Sequence, residues 1–424
     1  MDRSRPLRVA IAAAIFVSLL GAPASARPAW KLRLDRIVSG YDAGVAVADQ
    51  GRILYAHQPR AMRAAASNQK LVLTMALFDE LGPSARLATR VATSGAEGGV
   101  VEDDLWILGS GDPALSSGGA PNRLGFAPTR ISLLARRIAA AGIERVDGRV
   151  VAGTGFFARD WDAPGWQPYV PARFAPLPSA LTFDGNTMGG AHIDVPELRA
   201  ARTLASELRA LGIEVRGAAV AHRPLRRVRP VAAVHSAPLR RLTAYMNRDS
   251  SNFFAEVLGK RLAVEVGGPP GTIAGAARAL KAWARERGVR MASFDASGLS
   301  YRDRISPLGM VRLLAASEEE PWARALRAGL PGPGEGTLGG RLAGLDVRAK
   351  TGTHFNGDSA LSGWVRLRRS GSWAEFSILS VGMPKWVEDE IVRTVARFSR
   401  APRAAPAAEG VCAGWCAKAR FELP

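Results

Sequence analysis

Cysteine, histidine and lysine are all scarce in this 424-residue chain, and each scarcity excludes something. Its two cysteines, Cys412 and Cys416, stand four apart near the C-terminus. No third thiol exists to build a cysteine-rich zinc site, and the spacing is not the C-x-x-C of dithiol redox chemistry. In an exported chain the pair is expected to form a small terminal disulfide. The five histidines, His57, His192, His222, His235 and His354, come without an H-E-x-x-H or G-x-S-x-G pattern, so neither zinc hydrolysis nor a nucleophile elbow is motivated. His354 follows Thr353 directly; between the rim of a cleft and a solvated loop, the solvated loop is expected. No metal and no organic cofactor is expected. Beyond the N-terminal segment there is no run of about 20 apolar residues, so no later membrane span is expected.

Lysine is the most informative shortage. Seven lysines, Lys31, Lys70, Lys260, Lys281, Lys350, Lys385 and Lys418, stand against fifty arginines. A buried ammonium can lose its proton and a guanidinium effectively cannot, so a lysine kept in an arginine-biased chain is a candidate for proton chemistry.

What is present points to an exported globular protein. Hydrophobic residues make up 47% of the chain and charged residues 22%, enough to bury a core, and the length suits two domains. Arg3, Arg5 and Arg8 precede an apolar run from Val9 to Leu20 and the small-residue triplet Ala24-Ser25-Ala26. This reads as a signal peptide, 1–26, cleaved after Ala26, with an uncleaved anchor as the alternative; the mature chain is then periplasmic or secreted. The net charge of +19 falls to about +17 once three arginines and one aspartate leave with that segment. Export turns the expected partners from nucleic acid to anionic envelope polymers or, peripherally, to phospholipid headgroups. The alternative is a basic composition with no specific partner.

Trp30–Ile37 has amphipathic helical spacing, and Ala43–Ala48 with Gly51–Tyr55 reads as a β-hairpin. From Asn68 to Leu81 the apolar positions recur at helical spacing until Gly82-Pro83 stops them, which puts Ser67 at a helix N-terminus. Residues 91–230 are richer in Gly and Pro and read as an inserted domain within a catalytic domain made of 27–90 and 231–424. Inside the insertion, Leu134–Val151 and Leu204–Val220 each run helix, Gly-Ile, strand, as a two-copy repeat or as two ordinary αβ units. Helical spacing resumes over Leu239–Leu262 and Ala274–Arg287. Val347–Ala349, Ala360–Leu367 and Ala374–Val381 are expected as neighbouring antiparallel strands, with a helix at Val387–Phe398 packed on them. The fold class is α/β (α+β): an antiparallel sheet with flanking helices and a helical cluster, split by an αβ insertion.

Three short motifs occur in order, Ser67-Asn68-Gln69-Lys70, Ser250-Ser251-Asn252 and Lys350-Thr351-Gly352, or S-x-x-K, S-x-N and K-T-G. The first arises by chance about half the time in such a composition; the ordered trio does not. An i,i+3 spacing on a helix sets the Lys70 amine beside the Ser67 hydroxyl, where it can take the proton. Burial, the helix N-terminus and the nearby Lys350 would each lower the Lys70 pKa. Ser250 would relay the proton to a leaving amine, and Asn252 would hold Lys70 and a substrate carbonyl. Lys350, Thr351, Gly352 and Thr353, on a strand edge, would take a peptide carboxylate, with the N–H groups of Ser67 and Thr353 forming an oxyanion hole.

The trio is the signature of penicillin-binding proteins and class A β-lactamases. The chain resembles the class C low-molecular-mass penicillin-binding proteins, the D-alanyl-D-alanine carboxypeptidase/endopeptidase family S13, from about Leu34 to Met383. The likeness includes Ala65-Ala66-Ser67 leading into Leu71-Val72-Leu73-Thr74, Gly109-Ser110-Gly111-Asp112-Pro113 and Ala163-Pro164-Gly165-Trp166. It extends through Asp295-Ala296-Ser297-Gly298-Leu299-Ser300, Gly336-Thr337-Leu338 and Ser359-Ala360-Leu361-Ser362-Gly363-Trp364. The resemblance implies a β-lactamase-like transpeptidase fold, an acyl-Ser67 intermediate, peptidoglycan stem peptides as substrates and β-lactams as covalent inhibitors. It carries the roles just argued to Ser67, Lys70, Ser250, Asn252, Lys350, Thr351 and Thr353. The chain departs from the family in two places. The insertion is short, since Asn186 is soon followed by a helix near Glu197 and an additional small β domain is trimmed or missing. Ser251 also stands where Asp or Asn is usual. A β-lactamase-like hydrolase and a non-catalytic peptidoglycan-binding protein on the same fold remain the alternatives.

Overall fold

The computed structural model describes residues 27–119, 124–222 and 227–398. The expected signal peptide and the pair Cys412 and Cys416 lie outside the described residues. Among those described, no helix is long and apolar enough to cross a membrane.

A five-stranded antiparallel sheet forms the frame. Its order is Val347–Thr353, Asp358–Arg366, Trp373–Val381, Asp42–Asp49, Arg52–His57, which leaves the strand carrying K-T-G at one edge. Asp42–Asp49 is buried at seven of its eight positions, because helices cover both faces of the sheet. On one face Leu34 and Val38 of the helix Ala29–Val38 share a core with Val387, Ile391 and Val395 of the helix Lys385–Phe398. On the other, Leu308 and Val311 of the helix Pro307–Ser317 pack on Ala46 and Ala48.

Beside that second face stands the helical cluster. Its central helix, Gln69–Leu81, is buried at every position from Gln69 to Phe78, as its all-round apolar sequence requires. Lys70 is the one charged residue in that stretch. Around it lie Leu239–Arg248, Asn252–Gly267 and Ile273–Glu286, joined through one apolar core. The helical spacing over Leu239–Leu262 thus spans two helices, broken at Asp249–Ser251.

Between Ala88 and His235 the chain builds a second sheet, in the order Ala218–Ala221, Val150–Gly153, Leu105–Gly109, Ala88–Thr93, Arg229–His235. Its first three strands are parallel and the rest antiparallel. The two segments of shared plan lie side by side here. Helices Ile131–Ala140 and Pro196–Ala210 each end before a left-handed glycine, Gly142 at φ 82° and Gly212 at φ 83°, and feed the parallel strands that pair Val150 with Ala218. Leu134, Ile138, Leu204 and Leu208 pack their helices together in a separate core. A two-stranded hairpin, Thr187–Met188 with Ala191–His192, connects Asn186 to the helix that starts at Pro196.

The loop 295–300 ties the helical cluster to the catalytic turn. Gly298 has φ 81°, and a Cβ there would run into the carbonyl oxygen of Ala66, the residue before Ser67. Gly298→Ala is therefore expected to destabilise the fold by about 1–3 kcal/mol in urea unfolding, since strain and overlap act together. Gly340→Ala, where a Cβ meets nothing within 4 Å, serves as its neutral control.

Candidate active site

Ser67 lies in a single turn of tighter helix, Ala66–Asn68, that leads into Gln69–Leu81. Ala66 enters that turn at φ 43°, a strained conformation for a non-glycine residue, held in place by full burial. One turn on, Lys70 is completely buried, and its Nζ is spread over three oxygens. It lies 3.0 Å from Ser67 Oγ, 2.8 Å from Asn252 Oδ1 and 2.6 Å from the Ser297 carbonyl. Burial drives the Lys70 pKa down to about 8, against the raising pull of Asp295, Glu256 and Asp303.

Across the cleft, Lys350 is also fully buried and donates to Ser250 Oγ at 2.9 Å and to the Thr351 carbonyl at 2.8 Å. Burial, then the neighbouring Lys70 cation, holds it well below the usual lysine range. Ser250 adopts φ 56°, in the break between the two helices, and that left-handed kink aims its hydroxyl at Lys350. Ser251 caps the next helix, its Oγ accepting from Phe254 N at 3.3 Å. Asp, Asn and Ser all serve as N-caps, which explains why the middle residue of S-x-N varies at little expense to the site. Asn252 opens that helix and also donates to the Phe174 carbonyl at 3.2 Å, reaching the chain segment between the two sheets.

The K-T-G strand presses against the nucleophile. A Cβ on Gly352 would approach Ser67 N and the Ala66 Cβ, each at 3.0 Å, so only glycine lets strand and turn come this close. Ala349 N turns away from the sheet to the Pro331 carbonyl at 3.1 Å. The alternation of an antiparallel ladder sends the N–H groups of Thr351 and Thr353 to that same open edge. Thr353 is exposed, while Thr351 is largely covered. All eight residues expected to carry chemistry, Ser67, Lys70, Ser250, Asn252, Lys350, Thr351, Gly352 and Thr353, therefore line one cleft between sheet and helical cluster.

Several participants were not anticipated. Glu256, one helical turn after Asn252, is wholly buried and accepts from Ala296 N at 3.2 Å and Ser297 N at 2.8 Å, fixing the carbonyl that holds Lys70. Burial, and then the charge of Asp295, push its carboxyl up to about 8. Asp295 accepts from Gly298 N, Ser300 N and Trp166 Nε1 at 2.6–2.8 Å, and burial lifts Asp303 well above its ordinary value. His354 corrects the expectation of a solvated loop: it is buried against Tyr301, donates from Nε2 to the Gly298 carbonyl at 2.7 Å and faces Asp358 from Nδ1 at 3.1 Å. It pins the hairpin after K-T-G to the loop that positions Lys70. Beyond it Phe355, 78% exposed, meets Tyr169 and Phe174 in an aromatic lip at the cleft mouth. Among the described residues no group of three or more metal-ligating side chains occurs.

Comparison with known proteins matches this geometry to a family. The family model described as D-Ala-D-Ala carboxypeptidase 3 (S13) matches residues 32–192 and 189–401, two stretches that meet at the hairpin Thr187–His192. Carboxypeptidase DacB of Mycolicibacterium smegmatis is 30% identical over 387 residues, covering 85% of this chain and 82% of that protein. A D-alanyl-D-alanine carboxypeptidase of an Actinomadura species is 28% identical over 483 residues, covering 90% and 86%. Penicillin binding protein 4 of Haemophilus influenzae shares the fold at a TM-score of 0.70, with 20% identity over 88% of this chain and 94% of that one. With the family model spanning nearly the whole described chain, and a penicillin-binding fold around the three motifs, the chain belongs to the D-Ala-D-Ala carboxypeptidase 3 (S13) family.

Proposed function

We propose that this protein is a serine-type D-Ala-D-Ala carboxypeptidase and/or D,D-endopeptidase that cleaves peptidoglycan stem peptides through an acyl-Ser67 intermediate and is acylated by β-lactams. The observation that carries the reading is the buried Lys70 amine, 3.0 Å from Ser67 Oγ and lowered to about 8. Neutral Lys70 takes the hydroxyl proton as Ser67 Oγ attacks the carbonyl carbon of the scissile bond. The resulting oxyanion is received by the N–H groups of Ser67 and Thr353. Ser250, hydrogen-bonded to Lys350, hands a proton to the departing amine as the C–N bond breaks. Thr351 and Thr353 hold the terminal carboxylate, and Asn252 fixes Lys70 and the peptide carbonyl. Water then hydrolyses the ester. In this reading residues 91–230 form an inserted domain that borders the cleft, and the mature chain works outside the cytoplasm after cleavage at Ala26.

Polyanion binding has its own support. Arg86, Arg130, Arg136, Arg137 and Arg241 line one concave surface with His235, and among the described residues none of the five is salt-bridged to a carboxylate. Such a groove suits an anionic envelope polymer.

Three tests follow. Labelled penicillin should form a stable adduct with the wild type and none with Ser67→Ala; turnover within seconds would favour a β-lactamase, and no adduct together with no D-alanine release would favour a non-catalytic binder. The acylation rate should rise with pH to a midpoint near 8, because the reactive form of Lys70 is the one that has lost its proton. For the groove, inorganic polyphosphate should bind the triple variant Arg130→Gln/Arg136→Gln/Arg241→Gln about tenfold or more weakly, with a flatter salt dependence. A control lacking the exposed Arg202, Arg285 and Arg290 should bind as the wild type does; equal loss in both would reduce the effect to net charge.

A further inference from the structure

The scarcity of lysine leaves Lys385 to be explained. Lys260 is accounted for structurally, since it is buried and bonds Asp160 at 2.6 Å and the Ala158 carbonyl at 3.0 Å. Lys385 is the first residue of the helix Lys385–Phe398. A cation is unfavourable there, because the free N–H groups of a helix start carry partial positive charge and favour acids such as Glu388. The buried Glu388 one turn on offsets part of that cost, and a residue set against a local rule invites a functional reason beside the structural one.

Its contacts say which function. Lys385 Nζ reaches around the end of the K-T-G strand to Thr353 Oγ1 at 2.9 Å, the Gly352 carbonyl at 3.2 Å and Ser359 Oγ at 2.5 Å. Ser359 is the cross-strand partner of Thr353, so helix, edge strand and its neighbour converge on one ammonium. Arg341 holds Glu388 Oε2 at 2.8 Å and Asp389 at 2.7 Å, while Glu388 Oε1 accepts from Ser359 Oγ and stands 3.9 Å from Lys385 Nζ, so the two cations share that buried carboxylate. With 38% of its side chain exposed, Lys385 keeps one side open to solvent.

We propose that Lys385 is a positioning residue for the substrate's terminal carboxylate, acting through Thr353. The inference rests on the peptidase reading above and adds the source of its selectivity for a free C-terminus. Thr353 Oγ1 now donates to the Gly352 carbonyl at 2.7 Å while accepting from Lys385. Because Lys385 also donates to that carbonyl, the hydroxyl hydrogen can swing to an arriving anion without leaving Gly352 unpaired. A hydroxyl that accepts from an ammonium is polarised as a donor, and the cation behind it adds attraction for a carboxylate and none for a neutral amide.

The test compares an acyl-D-Ala-D-Ala peptide with the same peptide ending in an amide, and benzylpenicillin with its methyl ester. In Lys385→Gln the preference for the acid over the neutral partner should fall about tenfold or more, chiefly through the KM of the acid. Lys385→Arg should recover most of the preference, and Lys281→Gln, at an exposed site, should leave it intact. An unchanged acid-to-amide ratio in Lys385→Gln, or an equal loss on both substrates, would overturn the role. The failure of the peptidase reading itself is distinguishable: the wild type would then release no D-alanine and form no penicillin adduct.

Discussion

Everything near the cleft depends on holding one amine out of water. Lys70 has three acceptors, and they come from three places in the chain: Ser67 one turn before it, Asn252 across the cluster and Ser297 from the loop 295–300. An ammonium with fewer partners in that volume would be too costly to bury, and one beside an ionised carboxylate would be held too firmly to give up its proton. The arrangement avoids both outcomes. Direct contacts are with neutral oxygens, while the acidic groups that raise Lys70 act from beyond the first layer.

That requirement accounts for much of the backbone that looks irregular. Ala66 and Ser250 are non-glycine residues at positive φ, and each sits at a bend that points a motif hydroxyl into the cleft. Gly298 and Gly352 are two of the places where chain segments come too near for a side chain, and both adjoin the Ser67 turn. Glu256, His354 and Trp166 do no chemistry of their own, yet each fixes the loop whose carbonyl meets Lys70. The active site is a packing problem solved around a lysine.

The sequence carried the motif residues and the strand order at the K-T-G edge, because both are written locally: spacing along a helix, alternation along a strand, turn residues between them. Lys70 and Lys350 stood out because an arginine-biased chain kept lysine there. What could not be read was convergence. Nothing near position 354 announces that its imidazole meets Gly298 from a loop 56 residues away, so it read as a solvated histidine. Glu256 looks like any polar residue on an amphipathic helix until the loop 295–300 folds over it, and Lys385 gains meaning only when its helix docks beside Thr353. The break at Asp249–Ser251, by contrast, is written locally, in the six-residue polar run Asn247–Asn252 that interrupts the apolar spacing.

The edge position of Val347–Thr353 has a consequence for the life of the protein before it meets a substrate. An unpaired strand edge is a template on which another chain can add, and a long apolar one is an aggregation hazard. Here the outer edge is capped at Ala349 by the Pro331 carbonyl and lies recessed beneath the Ser67 turn, leaving open only the short end at Thr351–Thr353. The cleft is thus a guarded template: open for the length of a short peptide tail, closed to a second β-sheet.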